Sequence, residues 1–382
     1  METRAILERL IGFETVSARP NLDLIRFVRD LLASVGIEAT LIPDAGGTKA
    51  NLYATIGPRD RPGVMLSGHT DVVPVDGQAW TVPPFRLTEA EGRLYGRGTA
   101  DMKGFVACAV AAALAAARRD LATPLNLALS HDEEVGCLGV RSLIDLLAAA
   151  PVRPLMCIVG EPTGMAVATG HKGKRGLKAV CRGREGHTAL APLAMNALHL
   201  AADLTQAIRA LQARVAAEGT RDGDYDVPYT TLHVARIVGG GALNIVPNRA
   251  EVDFEIRHLA EDDPEALIAE IAASAAGIVA ATGDPDAGIA FAETMNYPGL
   301  GTAPDAAVVA FVKGLTGANA AIKVAFGTEG GLFAERLGLP TVVCGPGSMA
   351  QGHKPDEFVE AAQIARCEAM LAALLDRLEV GL

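Results

Sequence analysis

Several apolar, strand-like segments of the chain end in a histidine or a carboxylate, the side chains that bind divalent cations in proteins. They supply His69 with Asp71, Asp101, Glu133 with Glu134, Glu161, and His353. Ligand sites in open α/β sheets collect at the carboxyl ends of the strands, so we expect these side chains to meet at one edge. The set has imidazoles and carboxylates but no thiolate, which is typical of a catalytic zinc site or of a site for a related divalent ion.

The spacing of His69 and Asp71 in SGHTD favours a shared role. Residues i and i+2 of a strand lie on the same face, so the two side chains can sit side by side. If His69 binds a metal, Asp71 is expected to accept a hydrogen bond from the other ring nitrogen. Taken alone, the three-residue pattern also fits an ordinary turn.

The segments that must position these residues alternate between strand and helix patterns. NLYATIG and GVMLSGHTDVVP are typical of strands, an Ala-rich helix follows Gly98, and the strand LNLALS comes next. PLMCIVGEPTG is a further buried strand that ends in a turn. This order predicts an α/β fold, a mostly parallel sheet flanked by helices on both faces.

The pattern changes near residue 174. A strand, a long helix over residues 194–217, two alternating strands and the helix DPEALIAEIAASAAGIVAA follow one another. That order predicts a small α+β domain of ferredoxin-like type, with helices on one face of an antiparallel sheet. We therefore predict a discontinuous catalytic domain over residues 1–173 and 290–382, interrupted by an inserted domain over residues 174–289.

Composition and charge narrow the partners and the compartment. The chain has 382 residues, 21% of them charged, and a formal net charge of −11, which argues against nucleic acid or an anionic membrane as a partner. The N-terminus lacks the apolar run of a secretory signal, and the most apolar stretch, residues 105–117, is too short to span a bilayer. Six scattered cysteines without a C-x-x-C pair indicate free thiols in a cytoplasmic protein.

Longer motifs resemble the aminoacylase/acetylornithine-deacetylase family of zinc hydrolases. SGHTDVVPVDGQAWTVPPFRLTEAEGRLYGRGTADMKG is similar to the first metal motif of that family. DEEVGCLG, GEPT and GHKPDEF match its later motifs in the same order, so the resemblance covers nearly the whole chain. LYGRGTADMKGF, VGEPTGM, FGTEGGLF and GPGSMAQGHKPDEF favour the deacetylase branch over desuccinylases and carboxypeptidases.

The resemblance implies two divalent metal ions, zinc with cobalt as an alternative, that share one carboxylate. Asp101 would bridge them, His69 and Glu161 would complete one site, and Glu134 and His353 would complete the other. Glu133 would be the general base that takes the proton of the attacking water. Neighbouring residues at a strand end point in different directions, which lets Glu134 face a metal while Glu133 faces the water.

The resemblance also gives the inserted domain a role as lid and dimerisation domain. His187 in GREGHTA would donate to the developing oxyanion from the other subunit of a homodimer. Arg257 and Asn244 would hold the substrate, with the Arg fork on an α-carboxylate. The implied reaction is removal of acetate from N-acetyl-L-ornithine in arginine biosynthesis. A deacylase or desuccinylase for another N-acyl amino acid is the alternative.

Two other functional classes fit the sequence less well than the hydrolase. A metal-carrying protein on the same fold would need the ligands but not Glu133, which this chain has. A nucleotide-dependent enzyme would need a G-x-G-x-x-G after the first strand or a P-loop, and the sequence has neither.

Overall fold

The computed structural model describes residues 1–382, and the chain forms two compact units. The first unit joins Met1–His171 to Leu300–Leu382, and the second is Lys172–Gly299. The predicted start of the insertion, residue 174, lies two residues after the start of the second unit. The predicted end, residue 289, is wrong, because that boundary falls inside a strand over Gly288–Tyr297 that pairs with the sheet of the second unit.

Nine α-helices and eighteen strands make up the two units. The helices, α1 to α9 in chain order, are Thr3–Ile11, Leu22–Ala33, Lys103–Ala116, Val140–Ala149, Ala197–Glu218, Pro264–Thr282, Ala307–Thr316, Gly330–Leu337 and Ala361–Val380. The strands β1 to β9 are Ala39–Pro43, Ala50–Ile56, Val64–His69, Thr88–Ala90, Arg93–Tyr95, Leu125–Ser130, Met156–Pro162, Val167–His171 and Gly173–Arg182. The strands β10 to β18 are Gly186–His187, Thr231–Gly239, Ile245–Val246, Arg249–His258, Gly288–Tyr297, Leu300–Gly301, Ala321–Val324, Thr341–Gly345 and Phe358–Glu360.

The first unit is built on a nine-stranded sheet with the order β1-β2-β6-β3-β7-β17-β8-β15, and β16 pairs with β8. The central strands β6, β3, β7 and β17 run parallel to one another. Every residue of β3, β6 and β7 is buried, as expected of parallel strands covered by helices on both faces. The predicted fold class is therefore confirmed.

The helix α3 packs against this sheet along nearly its whole length. Its sequence, KGFVACAVAAALAA, is rich in small residues, and all but two of its positions are buried. Small side chains let a helix lie close to its neighbours, and α3 contacts α1, α9 and the sheet. Its first residue follows Met102 directly, so the position of α3 fixes the loop that carries Asp101.

The second unit is an α+β layer pair. Its antiparallel sheet has the order β11-β13-β9-β14, and α5 and α6 pack against it. Burial alternates along β13, with Val252, Phe254 and Ile256 in the core and the intervening charged residues on the other face. The helices therefore lie on one face of the sheet, as the sequence predicted, and β14 is a strand that the sequence analysis missed.

One helix of this unit, α6, is long and apolar enough to cross a membrane by length and composition alone. A single such helix is weak evidence for a span, and Ile271 and Ala275 of α6 pack into the core of the second unit.

Candidate metal centre

The predicted ligands follow the ends of strands that are neighbours in the first unit. His69 is the last residue of β3, Glu161 is the next-to-last residue of β7, and Glu133 with Glu134 follows β6 by a few residues. Because β3, β6 and β7 are adjacent and parallel, these side chains reach the same edge of the sheet. Asp101 reaches it from the residues before α3.

The carboxylate of Asp101 lies between two imidazoles. Its Oδ1 is 3.1 Å from Nε2 of His69, and its Oδ2 is 3.2 Å from Nε2 of His353. Nε2 of His69 is also 3.6 Å from Oε1 of Glu161, and Nε2 of His353 is 3.1 Å from Oε2 of Glu134. The structure thus brings all five predicted ligands together. One oxygen of Asp101 faces His69, which lies beside Glu161, and the other faces His353, which lies beside Glu134.

Glu133 lies in the same cluster. One ligand atom each of His69, Glu133 and Glu161 can be chosen so that all three lie within 4.8 Å of one another, and the same holds for His69, Asp101 and Glu134. The Sγ of Cys137 donates to Oε1 of Glu133 over 3.4 Å. The distances alone therefore do not separate the predicted base from the ligands.

Burial and like charge shift the protonation of the glutamates strongly. Burial, together with the charges of neighbouring carboxylates, raises the pKa of Glu133 and of Glu161 well above its ordinary value. Burial and the charge of Asp101 raise the pKa of Glu134 to about 7. Divalent cations would displace protons from such groups, so metal binding here is coupled to proton release.

The pKa values of Asp101 and His353 are shifted in the directions that favour their charged forms. Burial alone would raise the pKa of Asp101, but hydrogen bonds to His353 and His69 hold it well below its ordinary value. Hydrogen bonds to Asp101 and Glu134 raise the pKa of His353 to about 10. The centre is thus a carboxylate-rich cluster in which Asp101 and His353 favour their charged forms and the buried glutamates favour their neutral forms.

The donor set fits two borderline divalent cations. Oε1 of Glu134 is buried and makes no hydrogen bond, although a carboxylate oxygen in that position would ordinarily have a partner. The site presents imidazole nitrogens and carboxylate oxygens, and Cys137 beside Glu133 has a pKa raised well above its ordinary value by burial, which disfavours a thiolate ligand.

Asp71 makes a different set of contacts from the one expected. The Nδ1 of His69 lies 2.9 Å from the main-chain carbonyl of Asp71 and 3.6 Å from its carboxylate, so the expected hydrogen bond goes to the carbonyl. The carboxylate of Asp71 instead accepts from Ser17 Oγ at 2.7 Å and from the main-chain amides of Glu133 and Glu134. The physical reason is competition for the carboxylate, because the two main-chain amides of the loop after β6 and the hydroxyl of Ser17 take its oxygens.

The three predicted lid residues lie in the second unit. His187 belongs to β10, which pairs with β12, and the amide of Thr188 donates to the carbonyl of Asn244, so His187 and Asn244 are close. Asn244 and His187 are both exposed. Arg257 lies on β13, where its Nε donates to Glu255 at 3.0 Å and its Nη1 to the hydroxyl of Tyr297 at 3.4 Å.

Sequence reasoning assigned no role to three buried charged residues near the centre. Arg97 and Glu357 form an ion pair of 2.7 Å, and both side chains are 1% exposed. Glu329 is 1% exposed and accepts from Ser67 at 3.3 Å. All three lie inside motifs quoted above, GRGTADMKG, GHKPDEF and FGTEGGLF, so the motifs marked their positions although nothing in them indicated their contacts.

Comparison with known proteins supports the interpretation of this cluster as the metal centre of a hydrolase. Residues 65–377 match Peptidase family M20/M25/M40. An acetylornithine deacetylase of Myxococcus xanthus is 37% identical over 374 residues, which cover 97% of this chain and 95% of that protein. This agrees with the motif resemblance.

Solved structures share the fold. An M20-family metallo-carboxypeptidase from Sulfolobus solfataricus superposes with a TM-score of 0.80 at 18% identity, covering 100% of both chains. A dinuclear metal-binding peptidase of the M20 family from Bacillus subtilis superposes with a TM-score of 0.68 at 15% identity, covering 99% of this chain and 100% of that one. The chain belongs to peptidase family M20/M25/M40.

Proposed function

We propose that this chain is a zinc-dependent amide hydrolase that releases acetate from N-acetyl-L-ornithine, giving L-ornithine for arginine biosynthesis. The observation that carries the proposal is the position of Asp101, whose two carboxylate oxygens face His69 and His353 separately, as a bridge between two cations requires. The choice of substrate is supported by the relative from Myxococcus xanthus, which is named for that reaction.

Two sets of ligands are assigned to the metals. His69, Glu161 and Asp101 would hold the first cation, and Glu134, His353 and Asp101 would hold the second. When bound, a pair of such cations polarises the amide carbonyl and acidifies the attacking water. Zinc is favoured because the set holds histidine and carboxylate without thiolate, and cobalt suits the same donors.

Glu133 is assigned as the general base. It lies within the ligand cluster, where its carboxylate can accept the proton of the attacking water. The proton taken from the water then passes to the nitrogen of the leaving amine. Glu134 is not assigned as the base, because its Oε2 lies 3.1 Å from Nε2 of His353.

His187 is assigned as the donor to the carbonyl oxygen as negative charge develops there. The amide of Ala189 donates to its Nδ1 over 3.1 Å, so a neutral ring carries its proton on Nε2. That nitrogen is then a hydrogen-bond donor, which is the role that an oxyanion requires. In a homodimer, the partner's lid would present this group.

Arg257 and Asn244 are assigned to the substrate. Neither of the two hydrogen bonds of Arg257, to Glu255 and to Tyr297, uses Nη2, which is left to bind the α-carboxylate of an N-acyl amino acid. Asn244 is exposed and offers both a donor and an acceptor.

The homodimer is supported by the surface of the second unit. The strand β11 is an edge strand, and Ile237 and Val238 near its end are 48% and 47% exposed. Unpaired edges with apolar side chains favour association with another chain. Sedimentation of the chain and of an Ile237→Glu variant tests the assignment, with a dimer expected for the first and a shift to monomer for the second.

A cytoplasmic location completes the proposal. All six cysteines are buried free thiols, which suits a reducing compartment.

The substrate is tested by ranking kcat/KM over a panel of N-acyl amino acids. The panel holds N-acetyl-L-ornithine, other N-acetyl amino acids and the N-succinyl forms of the same amines, with metal content measured on the same sample. The proposal expects N-acetyl-L-ornithine to rank first. A higher rank for another N-acetyl amino acid would keep the hydrolase and change its substrate, and a higher rank for the succinyl compounds would indicate a desuccinylase.

A further inference from the structure

His353 is the one proposed ligand that the fold leaves open to solvent. Its side chain is 45% exposed, whereas the side chains of the other four are 7% exposed or less. It lies between β17 and β18, outside any strand, and its φ of 61° is in the left-handed region that non-glycine residues rarely adopt. A metal ligand on an exposed loop must be fixed by contacts between its main chain and other segments of the protein.

Gln78 holds that main chain. Its Nε2 donates to the carbonyl of His353 over 3.0 Å. Its Oε1 accepts from Nη2 of Arg97 at 2.5 Å and from Nε1 of Trp80 at 3.0 Å. Two donors on the oxygen fix the orientation of the amide, so its nitrogen must face the carbonyl of His353.

The far side of the same network holds the proposed bridging ligand. Nη1 of Arg97 donates to Oε2 of Glu357 at 2.7 Å, and the Arg97 guanidinium lies 5.0 Å from the Trp80 ring centre. Oε1 of Glu357 accepts from the main-chain amides of Ala100 at 2.9 Å and Asp101 at 3.1 Å.

One continuous set of hydrogen bonds therefore runs from Asp101 through Glu357, Arg97 and Gln78 to His353. Its two ends meet again at the centre, where Oδ2 of Asp101 is 3.2 Å from Nε2 of His353. Arg97 and Glu357 are buried and give the network a fixed position, and Gln78 connects it to the main chain of the exposed ligand.

We propose that Gln78 is a positioning residue that fixes His353 as a metal ligand and thereby sets the affinity of the cation site formed with Glu134. The inference rests on the ligand assignment made in the proposed function but not on the substrate. Partners that orient metal ligands typically contribute about 10- to 100-fold to metal affinity.

The sharpest variant is Gln78→Glu. The carboxylate still accepts from Arg97 and Trp80, but its second oxygen cannot donate to the carbonyl of His353. An added negative charge would by itself strengthen cation binding, so weaker binding in this variant reports lost positioning. Gln78→Met removes the contact without adding charge, and Trp80→Phe is the matched control, because it loses a contact with Gln78 and leaves the one to His353.

The measurement is a titration of the metal-free full-length protein with Co²⁺, followed by visible absorbance and by calorimetry. The unchanged chain should bind two ions. In Gln78→Glu and Gln78→Met, the Co²⁺ affinity of one of the two binding steps should fall by about 10- to 100-fold, while the affinity of the other stays within about 3-fold. Trp80→Phe should match the unchanged chain at both steps. Circular dichroism of each metal-free variant verifies folding, and Gln78→Met serves if Gln78→Glu does not fold.

A double variant ties the effect to His353. In a His353→Ala background the weakened site has already lost its ligand, so adding Gln78→Glu should leave the remaining step unchanged. The inference is overturned if both steps weaken equally, if neither weakens, or if the effect persists without His353. If the unchanged chain binds no Co²⁺, the metal assignment of the proposed function fails instead.

Discussion

The main-chain amide of Glu133 donates to Oδ1 of Asp71 over 3.1 Å. The proposed base is thereby tied to the residue that follows β3 by two positions, and the same strand ends in the proposed ligand His69. The amide of Glu134 donates to the other oxygen of Asp71 at 3.3 Å, so one carboxylate fixes the main chain of both glutamates. Asp71 is thus placed to align the base with the ligands.

Replacing Asp71 with Asn should lower kcat at least about 10-fold, in the range typical of groups that orient a metal site. One amide hydrogen-bond acceptor becomes an NH₂ group that faces the main-chain amide of Glu133 or Glu134, and the loop must shift. Ser17→Ala is the control, because it removes one donor to the same carboxylate and leaves both amides in place. Steady-state kinetics of the metal-saturated variants tests this, and an unchanged kcat in Asp71→Asn would contradict the assigned role.

Glu133 and Glu134 should respond differently to the same substitution. Glu133→Gln is expected to retain two metal ions and lose about 100- to 10,000-fold in kcat, the usual contribution of a general base. Glu134→Gln is expected to lose one of the two ions. Metal content after dialysis, measured beside kcat, separates the two. Loss of metal from Glu133→Gln would make Glu133 a ligand, which its distance to His69 and Glu161 also permits.

Glu329 should make stability depend on pH. Burial raises its pKa to about 7 from an ordinary 4.5, so the folded protein keeps this proton where the unfolded chain has released it. Stability is unaffected below about pH 4.5 and falls as pH rises toward 7, because ionising the buried group is unfavourable. The full effect above pH 7 is about 3 kcal/mol.

Glu329→Gln removes this pH dependence. In urea unfolding of the metal-free protein, the variant should gain stability over the unchanged chain at pH 8 and lose that advantage at pH 4.5. Glu335→Gln is the control and should change little at either pH, because Glu335 is exposed on α8, the helix that begins directly after Glu329. An equal difference at both pH values would show that Glu329 acts through packing alone.

Arg257→Ala should raise KM for N-acetyl-L-ornithine and lower kcat/KM about 10- to 100-fold, as expected when a charged hydrogen bond of about 1.5–3 kcal/mol is lost. The same variant should lose little on the carboxamide analogue, which has no α-carboxylate to bind. Arg236→Ala is the matched control, because Arg236 is exposed on β11 and pairs with Asp253 in the same sheet. Equal losses on both substrates would remove the carboxylate assignment.

Two kinds of information were enough to predict which residues meet at the centre: the strand patterns of the sequence, and the tendency of ligand sites in α/β sheets to collect at the carboxyl ends of strands. Apolar strands that alternate with helices place their carboxyl ends at one edge, which predicted that His69, Asp71, Asp101, Glu133, Glu134, Glu161 and His353 meet there. This prediction needs no knowledge of side-chain contacts. The division of this set into five ligands and a base came from the family resemblance.

Contacts between distant main-chain and side-chain groups could not be predicted in this way. Arg97 and Glu357 are 260 residues apart, and nothing local to either indicates that they pair. The carboxylate of Asp71 was expected to accept a hydrogen bond from the ring of His69, but the main-chain amides of Glu133 and Glu134 donate to it instead. Every residue except proline has a main-chain amide, so the sequence does not mark which ones will compete. The strand β14 was missed because six of its ten residues are polar or small and all but one of the ten are partly or fully exposed.

The central claim is tested most directly by following acetate and free amine from N-acetyl-L-ornithine, using protein stripped of metal and then reloaded with zinc. Both products should appear in equal amounts from the reloaded protein, at a rate that rises with zinc up to two ions per chain, and neither should form in the stripped sample. Full turnover after complete removal of metal, or acetate formed without ornithine, would contradict the account.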